Sequence, residues 1–343
     1  MVRIGIVGTN YVSEWFIAAA RRTKGKVEPV AIYSRTQERA DEFAKQHGLP
    51  LAFSDFDEMT QKVDAVYIAS PTGMHHAQAL QALEGGRHVL VEKSMGASLA
   101  QEHGIYRAAK ERGIIAMEAM RHLHTPQQQI IRDALPMIGT IRYAHIQMLQ
   151  YSGRYDQFKN GTILNAFRPE LGNSAIADIG VYCLEFALDL FGEPSSYSGN
   201  SVYLSNGFEG SGAIQMSYDS MIVDLAYSKI VQSVSPTVIH GEKGSITINY
   251  IGEPSRIELH TRKGTEVLLD LPRSTESGVL KRPGVASQFI QRPPVHQADY
   301  MHYELLTFAN AVEAGYIDPK WEQITLAARG MMDGQLARAP RRG

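Results

Sequence analysis

The chain has 343 residues, 34 Lys plus Arg against 36 Asp plus Glu, and one cysteine. That length predicts two domains. The balanced charge excludes a field that would gather nucleic acid or anionic membrane, and a single cysteine excludes an intrachain disulfide and fits a reducing compartment. The opening MVRIGIVG lacks the long apolar stretch of a signal peptide. No apolar run approaches the roughly 20 residues that cross a bilayer. A soluble cytoplasmic protein with neither nucleic-acid nor membrane partners is expected.

Residues 2–118 alternate between short apolar strands and amphipathic helices. Strands are predicted at 2–7, 27–33, 65–69, 88–91 and 114–118, and helices at 14–22, 36–47, 74–84 and 99–111. Thr36 is a candidate cap for the second helix, with Glu38, Asp41 and Glu42 in its early turns. Buried strands between helices imply a parallel sheet covered on both faces, the doubly wound pattern. A Rossmann-type dinucleotide-binding domain is expected over 1–121.

The pattern changes after Arg121. Thr125-Pro126 forms an N-cap and N1 pair that opens a helix toward Leu135. A strand follows at 140–149, then a polar irregular stretch at 154–173 and one helix from about 174 to 190. From 197 to 271 the chain is strand after strand with glycine turns, which predicts a large, mostly antiparallel open sheet in an α+β domain over 122–343. Residues 272–294 hold four prolines and two glycines without a period and are predicted to be a loop. Closing helices are predicted at 300–314 and 321–336.

Gly8-Thr9-Asn10-Tyr11-Val12-Ser13 stands where a G-x-G-x-x-G fingerprint would stand, between the first strand and the first helix. Gly8 permits the tight turn, and the helix start offers N–H groups to a pyrophosphate. Asn10 replaces the second glycine as a residue that tolerates left-handed backbone, and Ser13 replaces the third as a small one. The second strand ends in Tyr33-Ser34-Arg35-Thr36. No carboxylate is present there for the ribose hydroxyls of NAD, whereas Ser34, Arg35 and, one turn later, Arg39 suit the 2′-phosphate of NADP. NADP is therefore expected ahead of NAD. Ser70, Pro71, Thr72 and His75 follow the 65–69 strand. Glu92 and Lys93 follow the strand at 88–91. Both sets fall at the carboxyl ends of strands, where ligands sit in open parallel sheets.

Taken in order, Ala-Ser-Pro-Thr-Gly-Met-His at 69–75, His-Val-Leu-Val-Glu-Lys-Ser at 88–94, Met-Glu-Ala at 117–119 and Asp-Ile-Gly-Val-Tyr at 178–182 resemble the glucose–fructose oxidoreductase / inositol dehydrogenase (Gfo/Idh/MocA) family. The resemblance runs over essentially the whole chain. The tyrosine at 182 is similar to that of the glucose–fructose oxidoreductase and dimeric dihydrodiol dehydrogenase branches, where inositol dehydrogenases carry histidine. The resemblance implies a catalytic set of Lys93, Asp178 and Tyr182, with the site between the two domains. It implies NADP or NAD as cofactor, and a sugar, cyclitol or diol as substrate. It also implies a homodimer or homotetramer through the late sheet. Ser94 replaces the family's proline after the lysine and relaxes the backbone there.

The residues agree with that reading on their own terms. Asp178 and Tyr182 are four apart and share a helical face. Oxidising a secondary alcohol needs a base for the hydroxyl proton. Either Lys93, if partly desolvated, or Tyr182, if a neighbouring ammonium lowers its pKa, can be that base, with Asp178 as orienter. Arg121, His122, His124 and Arg168 are candidates for lining a polyol pocket, and Cys183 reads as a core thiol. His75, His76, His122 and His124 are too dispersed for zinc, so no metal is expected. Two rivals remain: a cofactor-bound sensor or repressor without turnover, and an NAD-dependent glycosidase.

Overall fold

In the computed structural model, which describes residues 1–271 and 298–338, the chain divides into two compact units, Met1–His124 with Gln297–Arg329 and Thr125–His296 with Gly330–Gly343. The 272–294 segment expected as a loop lies outside the described residues. The first unit opens with β1 (Val2–Val7), α1 (Tyr11–Ala20), β2 (Val27–Tyr33), α2 (Gln37–His47), β3 (Leu51–Phe53), α3 (Phe56–Thr60), β4 (Ala65–Ile68), α4 (Thr72–Glu84), β5 (His88–Glu92), α5 (Leu99–Arg112) and β6 (Ala116–Ala119). The six strands are all parallel, in the order β3-β2-β1-β4-β5-β6. Every residue of β4 is buried, as a strand covered on both faces must be. Ile4, Ile6, Phe16, Ile32 and Tyr67 pack on one face, and Val66, Ile68, Val89, Val91 and Ile105 on the other. Burying each such side chain contributes roughly 1.5–3 kcal/mol. The direction of winding reverses at β1 and β4. The strand ends there carry Gly8 and Ser70, at the kind of crevice where doubly wound sheets hold ligands.

The second unit contains α6 (Pro126–Ala134), β7 (Ile141–Leu149), α7 (Gly153–Lys159), α8 (Val181–Phe191) and seven further strands. These are β8 (Ser196–Tyr203), β9 (Glu209–Ser217), β10 (Ile222–Ser228), β11 (Thr237–Gly241), β12 (Gly244–Ile248), β13 (Arg256–Thr261) and β14 (Gly264–Asp270). Thr125 caps α6 by accepting from Gln128 N, with Pro126 at its first position, which is the start read from the sequence. The sheet has eight strands in the order β14-β13-β12-β11-β7-β10-β9-β8. All neighbours are antiparallel except β7 and β10, which run parallel with Tyr143 opposite Ile222. The inner face carries the buried Ala144, Ile146, Val223, Leu225, Ile239 and Ile246, and α8 packs on it across β7 and β10. The stretch 154–173, expected to be irregular, includes α7 and two short 3₁₀ turns.

The closing helices are α9 (Ala298–Ala314) and α10 (Lys320–Leu336). The sequence places both in the C-terminal domain at 122–343, and the structure differs. All of the described α9, and α10 as far as Arg329, belong to the first unit. Met301, Leu305, Phe308 and Ala309 complete the core around Ile4 and Phe16. Glu313 takes the N-terminal ammonium at 3.0 Å and Lys26 Nζ at 2.5 Å. Beyond the division, Gln335 Nε2 donates to Ser201 Oγ at 2.9 Å within the second unit. Helical periodicity specifies that a face is buried, not which surface receives it.

Candidate active site

Gly8 has φ +108°, and a Cβ there would stand 2.9 Å from the Ala69 carbonyl oxygen. Both facts restrict the position to glycine. Asn10 differs from its expected role. Its backbone is extended, with φ −126°, and its side chain caps α1 by accepting from Val12 N and Ser13 N. Its amide donates to Ala69 O at 2.7 Å. Asn10 thus locks the turn to the end of β4 and satisfies two of the N–H groups that an oxyanion at a helix start would otherwise take. Ser13 fills the third-glycine place, fully buried, and donates to Gly8 O at 2.5 Å. Thr9 receives a hydrogen bond from Arg39 Nη2 at 3.4 Å, so α2 brings a guanidinium to the turn. Tyr11 is exposed and packs edge-on against Trp15. Arg35 is exposed, and Ser34 is buried with its N–H on Phe53 O at 3.1 Å. A dinucleotide fits these residues: the turn is tight, and the β2 end is basic. Gly8 to Tyr11 would hold the pyrophosphate, and Arg35 and Arg39 the adenosine half.

The loops after β4 and β5 are tied together by a residue expected to face the cofactor. His75 is 1% exposed, with Nε2 2.7 Å from Ser70 O and Nδ1 3.0 Å from Ser94 O. Its ring is a brace inside the unit, and burial pushes its pKa down. Ser70 Oγ is engaged with Gln78 Oε1 at 2.6 Å. Pro71 precedes α4 as its N-cap and Thr72 is its first residue.

Lys93 is half-buried, and the Lys93–Ser94 peptide is cis. The expectation that Ser94 leaves the lysine loose is not met, because side chains hold the backbone after it. Glu118 Oε1 accepts Met95 N at 2.7 Å, Glu102 Oε1 accepts Gly96 N at 3.0 Å, and Gln101 Oε1 accepts Ala97 N at 2.8 Å. Arg329 donates to Gly96 O at 3.3 Å. Glu118 and Glu102 are both buried, so these bonds to backbone N–H groups are shielded from water. Glu92 accepts the Tyr67 phenol at 2.5 Å. Burial raises its pKa, opposed by that bond and by the charges of Lys93 and Arg121. Glu92 is therefore an internal support of β5.

In the second unit, Asp178 lies in a single π-helical turn, Ile176–Gly180, and Tyr182 in the first turn of α8. Glu209 of β9 fixes the start of that turn by accepting Ile176 N at 2.8 Å, while also accepting the Tyr227 phenol at 2.6 Å and Ser201 Oγ at 2.9 Å. Gly180 lets the turn pack closely: a Cβ there would stand 2.9 Å from both Ile176 Cγ1 and Tyr227 Cγ. Tyr182 is 6% exposed, whereas the Asp178 side chain keeps 44% of its surface. The sequence reading missed Lys229, which follows β10: its Nζ lies 2.7 Å from Asp178 Oδ2. A lone lysine after a strand reads as a solvated cation, and nothing in its neighbours signals otherwise.

Among the remaining candidates, His122 is buried, and His124 packs against Trp321 with ring centroids 4.3 Å apart and planes tilted by 43°, its pKa pushed down to about 3 by burial. Arg121 acts electrostatically on Glu92 and Glu304 inside the first unit. Arg168 is exposed and Cys183 is buried. Among the described residues no group of three or more potential ligands could hold a metal, and no helix is long and apolar enough to cross a membrane.

A glycine-restricted turn at the carboxyl end of β1, at the reversal point of a doubly wound parallel sheet, is the arrangement of a dinucleotide-binding domain. Comparison with known proteins agrees. The model of an oxidoreductase family with an NAD-binding Rossmann fold matches residues 2–120, and that of the GFO/IDH/MocA C-terminal domain matches residues 134–247. The chain is 42% identical over 266 residues to scyllo-inositol 2-dehydrogenase (NADP(+)) IolU of Bacillus subtilis, covering 77% of this chain and 81% of that protein. It is 27% identical to trans-1,2-dihydrobenzene-1,2-diol dehydrogenase of Xenopus laevis, covering 79% and 82%. A 3-ketoreductase of Actinomadura kijaniata, solved with NADP and TDP-benzene, shares the fold with a TM-score of 0.79 at 21% identity, over 97% of this chain and 96% of that one. The chain belongs to the Gfo/Idh/MocA oxidoreductase family, and it is an NAD(P)-dependent enzyme acting on alcohol groups. The rival sensor and glycosidase readings have no support among these relatives.

Proposed function

We propose that the enzyme is an NADP-preferring dehydrogenase of a cyclitol, sugar or related diol. What carries this reading is the 42% identity to a protein named for scyllo-inositol and NADP(+). The basic end of β2, where Arg35 and Arg39 are exposed and no carboxylate stands, is consistent with it. Bound nicotinamide supplies the hydride acceptor in oxidation and the donor in reduction. Lys93, as the neutral amine, takes the hydroxyl proton in oxidation and, as the ammonium, returns it in reduction, an exchange suited to a half-buried lysine on a braced loop. Asp178 accepts from the substrate and orients it, and the buried Tyr182 supports the pair. The outer face of the second sheet, with Tyr143 and Ile222 exposed side by side, is proposed as the surface of a homodimer or homotetramer.

The test is a fluorescence titration with NADPH and NADH, followed by a cyclitol, sugar and diol panel read by nicotinamide absorbance. Lys93→Met is expected to bind NADPH as the wild type does and to lose turnover by roughly 10²–10⁴-fold. Normal turnover by that variant overturns the assignment of Lys93. A panel without a single oxidised or reduced member overturns the substrate class.

A further inference from the structure

We propose that Lys229 is the positioning residue of the Asp178 carboxylate, holding it as a fixed hydrogen-bond acceptor for a neutral polyol that carries a hydroxyl beside the reacting carbon. The inference deepens the dehydrogenase reading above and rests on it. Lys229 is a rare kind of lysine, with its side chain only 6% exposed. Its Nζ is 2.7 Å from Asp178 Oδ2 and donates to Ala166 O at 3.3 Å. It also lies 5.3 Å from the ring centroid of Phe167 and 5.6 Å from that of Phe208. The ammonium is thus lodged among a carboxylate, a carbonyl and two ring faces, all of which favour positive charge. Its backbone is equally fixed: Lys229 N donates to Gly210 O at 2.9 Å and Lys229 O accepts from Ser152 N at 2.9 Å.

Two consequences follow for Asp178. An enclosed ammonium at 2.7 Å favours the ionised carboxylate, and an ionised carboxylate only accepts hydrogen bonds. The group it recognises must therefore be a donor, which a hydroxyl is and a carbonyl or carboxylate is not. The pair also carries no net charge, so it offers an anionic substrate no attraction, while a neutral polyol loses nothing. With 44% of its side chain exposed, Asp178 is within reach of a ligand, whereas Lys229 is not. Lys229 acts through Asp178.

The experiment is a double-mutant cycle on Lys229→Met and Asp178→Asn. It is read as kcat and KM for the polyol turned over by the wild type and for its deoxy analogue lacking the neighbouring hydroxyl. Lys229→Met is expected to raise KM for the polyol tenfold or more and to erase most of the polyol-over-deoxy preference. In the Asp178→Asn background it should add little. Lys229→Arg, which keeps the charge, should recover part of the preference. Losses that multiply across the cycle, or an unchanged preference in Lys229→Met, overturn the inference. Should Lys229→Met fail to fold, Lys229→Arg decides: a folded arginine variant without the preference overturns it, and one that retains the preference supports it. A wild type inactive on the whole panel instead removes the functional reading, and the inference falls with it.

Discussion

His75 holds the carbonyl of Ser94, with Nδ1 3.0 Å from the oxygen, and so braces the residue that follows Lys93. Its other nitrogen is 2.7 Å from Ser70 O, which makes the ring a bridge between the loops after β4 and β5. Burial pushes the His75 pKa down, opposed by the two carbonyl oxygens, which favour the ring form that donates from both nitrogens. His75→Ala removes the bridge and leaves a cavity in a buried site. The expected result is a kcat lowered by roughly tenfold, corresponding to about 1.4 kcal/mol, with NADPH affinity nearly intact. Stopped-flow single turnovers beside cofactor titrations check it. A variant that loses cofactor binding in proportion to kcat would show that His75 serves the dinucleotide and not the lysine loop.

Glu304 on α9 is 1% exposed, and among the described residues neither of its carboxyl oxygens has a hydrogen-bond partner. Burial, reinforced by the charges of Glu92 and Glu118 and opposed by Arg121, raises its pKa well above the ordinary carboxyl range. A group raised in this way contributes its full stability below the unfolded-state pKa and loses it as pH climbs toward the folded one. The loss approaches about 1.4 kcal/mol per pH unit within that window. His124, lowered to about 3, works in the opposite sense, gaining stability as pH rises toward the ordinary histidine value. Glu304→Gln removes only the first contribution. Its melting temperature relative to wild type should therefore rise steadily from pH 5 to pH 8. A constant difference over that range would mean that Glu304 does not change charge on unfolding.

Much of the first unit was legible because its signals are local. The apolar run of β1, Gly8 and the start of α5 are each set by a few neighbouring residues, whereas Thr36, expected to cap α2, stands at its N-cap without a side-chain cap bond. The short β3 and α3, with three and five residues, carry too little pattern to stand out between longer elements. Strand β8 (SYSGNSVY) is the sheet's edge and alternates between exposed and half-exposed positions, so it lacks the apolar face by which strands are recognised. The catalytic candidates were legible as motifs, but their supports were not. Glu209, Glu118 and Arg329 act across long sequence separations, and a single sequence carries no record of which distant backbone group such a side chain serves.

The approach of the π-helical turn to the sheet depends on glycine at two places around one ring. A Cβ on Gly180 would stand 2.9 Å from Tyr227 Cγ, and one on Gly212 would overlap the Tyr227 hydroxyl and ring carbon. Tyr227 cannot yield easily, since its phenol is bonded to the buried Glu209. Gly212→Ala should destabilise the second unit by about 1–3 kcal/mol or more, as overpacking does. Gly180→Ala should cost somewhat less. Because Gly180 lies between Asp178 and Tyr182, its alanine variant should also raise KM for the polyol, while Gly212→Ala acts mainly on stability. Chemical denaturation paired with steady-state kinetics separates the two. Equal stability of Gly212→Ala and wild type would contradict this packing.

The proposed preference for NADP rests on two arginines that differ in setting. Arg39 is oriented by its bond to Thr9 Oγ1 at 3.4 Å, and Arg35 is exposed at the end of β2. Guanidinium binds the 2′-phosphate of NADP, whereas a carboxylate at the same strand end takes the ribose hydroxyls of NAD. Arg35→Asp should lower the NADPH-over-NADH affinity ratio by about one to two orders of magnitude, since it removes a charge-assisted contact and adds repulsion. Arg39→Ala should weaken NADPH binding by less, and it should also loosen the turn at Thr9, so that NADH affinity falls slightly too. The two variants therefore leave different signatures in parallel fluorescence titrations: an exchange of preference for Arg35, and a shared loss for Arg39. An unchanged ratio in Arg35→Asp would remove the 2′-phosphate from the β2 end.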